Sequence, residues 1–358
     1  MPGGENVPGR APVCLCKSQS FFAIYINSEV KNKKQKKGAV ILANQLRYIL
    51  KRIVYSFSTI LVLTSVTFLL MQLLPGDPFT GGRDIPDTVM EALRAKYGLD
   101  KPVLQQLVMY IGNALHGDFG ISIPDGREVT DIIRQAFPVS FDLGIRALLF
   151  AFIMGILLGI VAAVKRGTAW DSGAMFLALV GVSVPSFIMG AILQYFLALK
   201  LGQATGTQVF AIVGWTDWHS KILPAFALAF GSMATVSRLM RTSMLDVMSQ
   251  DYIKTAKAKG LSQRQIIWRH AVRNAIMPVI TVMGPLVAAV LTGAFVVENI
   301  FAIPGLGKYF VTSVQTNNYT LIAGTTVFYG TFLILANLVV DIIYGLIDPR
   351  IKLTGRKE

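Results

Sequence analysis

Long uncharged runs dominate the hydrophobic pattern of this chain. Each run is continuously apolar, as in a helix surrounded by lipid, whereas barrel strands alternate apolar and polar residues. A helix needs about 20 apolar residues to cross a bilayer. The pattern therefore predicts an all-α, polytopic membrane protein with about six transmembrane helices, near residues 53–74, 143–164, 175–199, 222–239, 275–297 and 321–347.

Two of these runs contain residues that weaken a helix. The fourth is short and includes Gly231 and Ser232, and Pro185 interrupts the third. Because transmembrane helices tolerate proline better than soluble helices do, we expect a kink at Pro185 rather than a loop.

The segment after the first run predicts a separate subdomain. Its beginning, LPGDP at residues 74–78, contains two prolines and a glycine that stop the helix. Helical patterns follow at 88–97 and 103–115. We expect residues 75–138 to form an ordered extracytoplasmic subdomain, with a merely solvated loop as the alternative.

The segment between the fourth and fifth runs, residues 241–274, predicts a helical hairpin. Alanine and lysine favour a helix from Asp251 to Lys259. Gly260 can adopt the left-handed conformation that ends a helix, and Ser262 with Gln265 forms a capping box that starts another. A basic hairpin with small residues at its bend is suited to docking on a partner. The alternative is a basic juxtamembrane loop.

The run ENIFAIPGLGK, residues 298–308, follows the fifth apolar run and predicts a turn. Pro304 and the two glycines that follow it favour a short re-entrant or capping element at the outer end of the pore. The Gly-Lys pair is superficially like a phosphate loop, but Ala302 and Tyr309 stand where that motif needs a glycine and a hydroxyl residue.

Composition excludes a soluble fold. The chain is 53% hydrophobic and 15% charged, whereas soluble domains carry about a quarter charged residues. The net charge of +14 would suit nucleic acid, but 24 of the 34 Lys and Arg residues lie in the two tails and in residues 165–171 and 238–273. Acidic residues concentrate in 75–138. This asymmetry follows the positive-inside rule and predicts that both termini are cytoplasmic, without nucleic acid as a partner.

The sequence predicts no catalytic, cofactor or metal site. Cys14 and Cys16 have no nearby ligands to complete a tetrahedral zinc site. The histidines, His116, His219 and His270, are scattered, and the chain has no Walker sequence. We therefore expect that the chain is not an enzyme.

Residues 1–40 are predicted to be a disordered, basic cytoplasmic tail, followed by the transmembrane domain at 41–358. The tail is rich in Gly, Pro, Ser, Asn and Lys, and its apolar stretch at 21–26 is too short for a signal-peptide core. The cluster KNKKQKK at 31–37 is expected to lie near anionic lipid headgroups.

Five segments in this order resemble the membrane permeases of ABC importers, specifically the B-type subunit of oligopeptide and dipeptide systems. They are LPGDP (74–78), KYGLDKP (96–102), the hairpin at 251–260 with RHAVRNAIMP (269–278), ENIFAIPGLG (298–307) and DPRI (348–351). The family's coupling motif is usually Glu-Ala-Ala, three residues, then Gly. Here Lys254 and Thr255 replace its first two residues, Ala256 matches, and Pro278 comes later, as in the peptide-type branch.

The resemblance implies an ABC importer permease fold in a prokaryotic inner membrane, importing peptides by alternating access. It implies a second homologous permease, two cytoplasmic ATPase subunits that bind ATP and Mg, and an extracytoplasmic substrate-binding protein. The subdomain at 75–138 would help to dock that binding protein. The ATPase-coupling residues would be Asp251, Tyr252, Thr255, Ala256, Ala258, Gly260, Leu261 and Ser262. The outer gate or turn would comprise Glu298, Pro304, Gly305 and Gly307.

Three alternatives stay open at this point. The substrate of such an importer could be a nickel chelate, and a scaffold without transport activity is conceivable. A gradient-driven secondary transporter usually has ionisable residues near the bilayer midplane, whereas Asp142, Arg146, Glu298 and Asp341 lie toward span ends. Small residues within the spans favour close helix packing: Gly155, Gly159, Gly181, Ser183, Gly190, Gly284 and Gly293.

Overall fold

The computed structural model describes residues 47–73, 88, 91–92, 101–122 and 126–347. Within these residues the protein is helical apart from one small strand pair. In chain order the elements are α1 (Arg47–Leu73), α2 (Val103–Leu115), β1 (Ile121–Ser122), β2 (Arg127–Glu128), α3 (Val129–Val164), α4 (Ala169–Ser183), α5 (Ser186–Leu193), the π-helical segment π1 (Gln194–Lys200), α6 (Leu201–Thr205), α7 (Trp218–Met248), α8 (Asp251–Ala258), α9 (Gln263–Gln265), the π-helical segment π2 (Ile266–Ala271), α10 (Val272–Ala275), α11 (Met277–Thr281), α12 (Met283–Ile300), α13 (Leu306–Gln315) and α14 (Tyr319–Ile347).

Six helical stretches in the described part are long and apolar enough to cross a membrane. They are α1, α3, the continuous run Ser186–Thr205, α7, α12 and Tyr319–Ile342 of α14. The predicted all-α class with about six spans is confirmed. The features predicted at residues 1–40, 74–78 and 348–351, and most of the helix expected at 88–97, lie outside the described residues.

The third predicted span is divided, so the kink expected at Pro185 was wrong. Helix α4 ends at Ser183, Val184 has an extended backbone with φ −93° and ψ 119°, and α5 begins at Ser186. Proline has no N–H to donate and disfavours the helical conformation of the residue before it. Both effects act here, and the helix breaks.

Residues after the hairpin also depart from the predicted span at 275–297. They form the short helices α10 and α11 on either side of Ile276, and the long helix α12 begins only at Met283. Pro278 lies in the first turn of α11, where its missing N–H costs nothing.

A hairpin of two strands, each two residues long, lies between α2 and α3 in the chain and was not predicted. Ile121 pairs with Glu128 and Ser122 with Arg127 in an antiparallel register. The Asn318 side chain donates a hydrogen bond to the Ser122 hydroxyl at 2.8 Å and so connects this hairpin to the start of α14. The helix predicted at 103–115 is confirmed as α2.

The core is built on the packing of α3 against α7. A Cβ atom at Gly155 would lie 2.8 Å from the Met233 carbonyl oxygen, and one at Gly159 would lie 2.6 Å from the Ser237 carbonyl oxygen. Glycines spaced four residues apart let two helix backbones approach closely. The packing role predicted for these two glycines is confirmed, and the two helices are held together along their length.

A partly buried ion pair attaches α4 to α7. The Arg241 guanidinium donates two hydrogen bonds to the Asp171 carboxylate, at 2.6 and 2.8 Å, and the Gly167 amide donates a third at 3.0 Å. The hydrogen bond from Arg241, followed by that from Gly167, lowers the pKa of Asp171 to about 2. The carboxylate is therefore charged throughout the physiological pH range and fixes the start of α4.

Candidate functional site

The hairpin, residues 251–265, begins just after α7 ends at Met248. Helix α8 has Asp251 in its first turn, where a negative charge is favourable near the helix N-terminus. The helix ends at Ala258, and Gly260 has φ +78°. Residues with a side chain rarely adopt this left-handed conformation. The predicted glycine stop is confirmed.

A reciprocal capping box starts the second arm of the hairpin. The Gln265 backbone amide donates a hydrogen bond to the Ser262 hydroxyl at 3.4 Å. In return, the Ser262 backbone amide donates a hydrogen bond to the side-chain Oε1 atom of Gln265 at 3.0 Å. These two bonds satisfy backbone N–H groups that would otherwise lack partners at a helix start. The predicted sequence of helix, tight turn and second helix is thus confirmed, with a turn of defined geometry.

The inner face of α8 packs into the chain's own core. Ile253 and Ala256 are buried in a cluster with Met240, Met244 and Ile266. Ala256 was predicted to belong to the coupling interface; it lies three residues from Ile253 and is buried in this cluster with residues of α7 and π2.

The remaining predicted coupling residues are at least partly exposed. Leu261 is half-buried, and the rest are exposed: Asp251, Tyr252, Thr255, Ala258, Gly260 and Ser262. The exposed face also carries Lys254, whose ammonium group lies 2.8 Å from the Asp251 carboxylate. The structure therefore leaves six of the eight predicted coupling residues exposed to solvent, with Leu261 half-buried and Ala256 buried.

Asn274 ties the two arms of the hairpin region together. Its side-chain amide donates a hydrogen bond to the Tyr252 hydroxyl at 2.9 Å and to the His270 carbonyl oxygen at 3.1 Å. Tyr252 and Asn274 are 22 residues apart, and neither the helix pattern nor the capping signals predict their contact. This link holds the exposed face of α8 to the segment that returns to α12.

The second candidate site is the PGLG turn, defined as residues 301–307. Helix α12 ends at Ile300, and the Ile303 amide donates a hydrogen bond back to the Glu298 carbonyl oxygen at 2.8 Å. Ala302 has φ +51°. The turn was predicted, but the residue with a left-handed backbone is this alanine, while Gly305 is extended at φ −95° and ψ 177°.

Two buried side chains accept hydrogen bonds from the backbone amides at the start of α13. The Leu306 amide donates to the Ser140 hydroxyl of α3 at 2.8 Å, and the Gly307 amide donates to Oε2 of Glu298 at 2.8 Å. Glu298 is completely buried. A carboxylate at a helix N-terminus accepts orphan N–H groups and complements the helix dipole. Glu298 therefore joins α12 to α13, and Ser140 joins both to α3.

The glycines of the turn are required by this close approach. A Cβ atom at Gly305 would collide with the Glu298 carboxylate and lie 2.6 Å from the Ser140 hydroxyl. One at Gly307 would lie 2.5 Å from the Cα atom of Phe295. Both distances are shorter than any ordinary contact between nonbonded heavy atoms. The sequence predicted these glycines for turn formation, whereas the structure assigns them to packing.

A neighbouring loop covers the PGLG turn. The Gly214 amide donates a hydrogen bond to the Phe301 carbonyl oxygen at 2.8 Å. Gln194, the first residue of π1, donates its side-chain amide to the Ile212 carbonyl oxygen at 2.7 Å. A π-helical turn within a helix often marks a functional position. Gln194 is a residue that sequence reasoning missed, because a lone glutamine in an apolar run gives no sign of its partner.

A charge cluster lies near this end of α3. The Asp142 carboxylate accepts hydrogen bonds from Arg146 at 2.8 Å and from Lys221 of α7 at 3.1 Å. The Lys221 ammonium group also lies 4.9 Å from the centre of the Trp215 ring. All three charged groups are thus engaged in a local network that joins α3 to α7.

Comparison with protein families decides the identity of the fold. A model described as the binding-protein-dependent transport system inner membrane component matches residues 155–353, and a model of the N-terminal part of such components matches residues 45–144. The chain belongs to this family. It is accordingly a multi-pass inner-membrane permease component of an ABC transport system and not itself an enzyme.

Individual relatives of this permease match over nearly their whole length. The dipeptide transport system permease protein DppB of Bacillus subtilis (strain 168) is 48% identical over 86% of this chain and 98% of its own length. DppB of Lactococcus lactis subsp. cremoris (strain MG1363) is 38% identical over 86% and 100%. The oligopeptide transport system permease protein OppB of Escherichia coli (strain K12) is 39% identical over 86% and 99%.

A solved structure shares the permease fold. It is an inward-facing conformation of the MetNI methionine ABC transporter, which aligns with a TM-score of 0.50 and 15% identity. The alignment covers 61% of this chain and 96% of that chain. At this level of identity the likeness concerns the fold alone.

Proposed function

We propose that this chain is a pore-forming subunit of an ATP-driven importer that moves peptides into the cytoplasm by alternating access. The observation that carries the proposal is the hairpin: one face of α8 is locked into the helical core and the opposite face is exposed. An element of this shape can receive a force from a partner and pass it to the membrane helices.

Peptides are the substrate class that we propose. The support comes from the relatives that are named as dipeptide and oligopeptide permeases and that align with this chain over almost their full length. Most of the contacts that select one peptide over another would belong to the substrate-binding protein. The permease would supply the pathway.

The proposed assembly divides the work among several subunits. A second homologous permease completes the pore, and two ATPase subunits bind ATP and Mg and hydrolyse the nucleotide. An extracytoplasmic binding protein delivers the peptide, with residues 75–138 contributing to its docking surface. Both termini and the hairpin lie on the cytoplasmic side, in agreement with the distribution of Lys and Arg.

The path of force through this chain follows from its packing. When the ATPase subunits close, they would move the exposed face of α8, and Ile253 and Ala256 would carry the motion into Met240 and Met244 of α7. Helix α7 packs closely on α3 through Gly155 and Gly159. The pair α3 and α7 would therefore tilt as one body, and discrete rigid-body motions of this kind underlie alternating access.

In the proposed orientation, the PGLG turn would lie at the opposite, outer end of the path and would act as an outer gate element. It is joined to α3 through Ser140 and to α12 through Glu298. A tilt of α3 would consequently move the start of α13 directly. This connection links the ATPase side of the permease to its outer end.

Copurification tests the proposed assembly. The tagged chain is extracted from its native membrane in mild detergent, and its stoichiometric partners are identified by mass spectrometry. Recovery of a second six-span permease and of ATPases with Walker sequences is expected. Recovery of the chain alone, in a form that still transports, would support a gradient-driven carrier and contradict the proposal.

A further inference from the structure

The second arm of the hairpin carries an open cleft with a donor-rich lining. The cleft has a volume of about 540 Å³ and is lined by Ser262, Arg264, Gln265, Trp268 and Arg269. Two of these residues are permanent cations, and none is acidic. A lining of this composition favours an anion.

The donors in the cleft are available for a ligand. Within the residues that the structure describes, Arg264 and Arg269 are absent from the ion pairs that other basic side chains form. Gln265 uses its Oε1 atom as the acceptor of the capping box, so its NH₂ donors are not used in that box. Guanidinium groups bind phosphate through paired hydrogen bonds, which favours a phosphate over a simple halide.

The position of the cleft relative to the end of α3 indicates that the cleft lies near the membrane surface. Ala271 and Ala275 share a buried cluster with Ile160 and Ala163, which lie in the last turns of α3. Helix α3 ends at Val164, where the apolar span gives way to the exposed Lys165 and Arg166. The π2 segment and the end of α3, where the apolar span meets its basic flank, therefore belong to one buried cluster.

Exposed tryptophan at this level is typical of the interface between lipid and water. The Trp268 side chain is 53% exposed, and Trp170, at the start of α4 on the same end of the molecule, is 67% exposed. Tryptophan is enriched at headgroup depth because its ring is apolar and its indole N–H is polar. An acidic protein surface would complement the charge of the arginines but not the exposed tryptophan ring. A phospholipid complements both, because its headgroup is charged and its chains are apolar.

We propose that Arg264, Gln265, Trp268 and Arg269 bind the phosphate headgroup of an anionic phospholipid in the cytoplasmic leaflet. The site rests on the proposed orientation, which places the hairpin in the cytoplasm. Because the cleft includes Ser262 of the capping box, a bound lipid would also brace the arm that follows the Gly260 turn. Lipid composition would then affect how well ATP hydrolysis is coupled to transport.

Native mass spectrometry of the copurified complex tests the site. The complex is equilibrated in micelles that contain equal amounts of phosphatidylglycerol and phosphatidylcholine, and the lipids retained on the permease are counted. Wild type is expected to prefer phosphatidylglycerol. The double variant Arg264→Gln/Arg269→Gln should bind it about 25-fold more weakly, since each basic residue at a membrane surface contributes roughly fivefold.

The matched control is Arg134→Gln. Arg134 is an exposed arginine at the far end of α3, 3.7 Å from Asp131, and its loss should leave phosphatidylglycerol retention unchanged. If the double variant fails to assemble, Arg264→Lys/Arg269→Lys preserves the charges and should retain an intermediate preference, because lysine lacks the paired donors.

Four results would overturn the lipid site. Equal retention of the two lipids by wild type, or unchanged retention by the double variant, would remove it. Displacement of the lipid by soluble glycerophosphate at equal concentration would assign the cleft to a free anion. Loss of the ATPase subunits from the double variant with normal lipid retention would assign the cleft to the ATPase interface. The spectrum also reports subunit composition, so failure of the proposed assembly is seen separately.

Discussion

At the start of α13, two buried side chains replace the hydrogen-bond partners that the first turn of any helix lacks. Ser140 accepts the Leu306 amide, and Glu298 accepts the Gly307 amide. A buried N–H group without an acceptor costs about 1–3 kcal/mol. These contacts therefore fix where α13 begins and how it is oriented toward α3 and α12.

The substitution Ser140→Ala measures one of these contacts. It should leave the buried Leu306 amide without its acceptor and lower the stability of the complex by about 1–3 kcal/mol, seen as a drop of several degrees in the apparent unfolding temperature in detergent. The matched control is Ser313→Ala. Ser313 is equally buried, but its hydroxyl only donates to the Phe310 carbonyl oxygen within α13, so a smaller effect is expected. Equal effects would contradict the capping role of Ser140.

The sequence predicts the PGLG turn but not these contacts. Pro304 and the neighbouring glycines are local signals, and local signals predict a turn. Ser140 is 166 residues away from Leu306, and no local pattern connects them. For the same reason, the steric need for Gly305 could not be predicted, because it depends on where the Glu298 carboxylate lies.

At the scale of elements, the hairpin is the feature that the sequence predicts best. Its signals are short-range: helix-forming residues, Gly260 at the bend and the reciprocal pair Ser262 and Gln265. The burial of Ala256 could not be predicted, because alignment with a family motif does not say which side of a helix is buried. Packing against α7 decides that question.

Two substitutions of Gly260 separate the effect of backbone conformation at the turn from the effect of side-chain size. A Cβ atom there would meet no described atom within 4 Å, and the backbone has φ +78°. Asparagine tolerates this conformation, whereas a β-branched residue does not. Gly260→Val should therefore reduce ATP-dependent peptide uptake severely, and Gly260→Asn should stay close to wild type. Equal uptake by the two variants would remove the turn from the mechanism.

The ion pair between Asp171 and Arg241 is expected to stabilise the attachment of α4 over a wide pH range. The pKa of Asp171 lies at about 2, below its ordinary value of 3.8, so its contribution is complete above the ordinary value and is lost as the pH falls toward 2. Asp171→Asn should lower the unfolding temperature by several degrees, by the same amount at about pH 5 and about pH 8. A difference that shrinks between these two values would contradict the assignment.

At the scale of the whole molecule, hydrophobicity and charge placement predict the membrane class and the number of spans. They do not predict the break at Pro185, because a proline in an apolar run is compatible with either a kink or a break. They also miss the length of α3, whose 36 residues extend beyond the predicted run at 143–164. The part before Leu143 contains polar residues and so does not belong to the apolar run, yet it forms part of the same helix.

The central claim is that this permease imports peptides at the expense of ATP hydrolysed by its partners. The most direct measurement is the transport of a radiolabelled peptide by the copurified complex in proteoliposomes, with binding protein on the peptide side and ATP on the ATPase side. We expect transport that requires ATP, stops with a non-hydrolysable analogue and is unaffected by a proton ionophore. Transport that proceeds without ATP and collapses with the ionophore would contradict it.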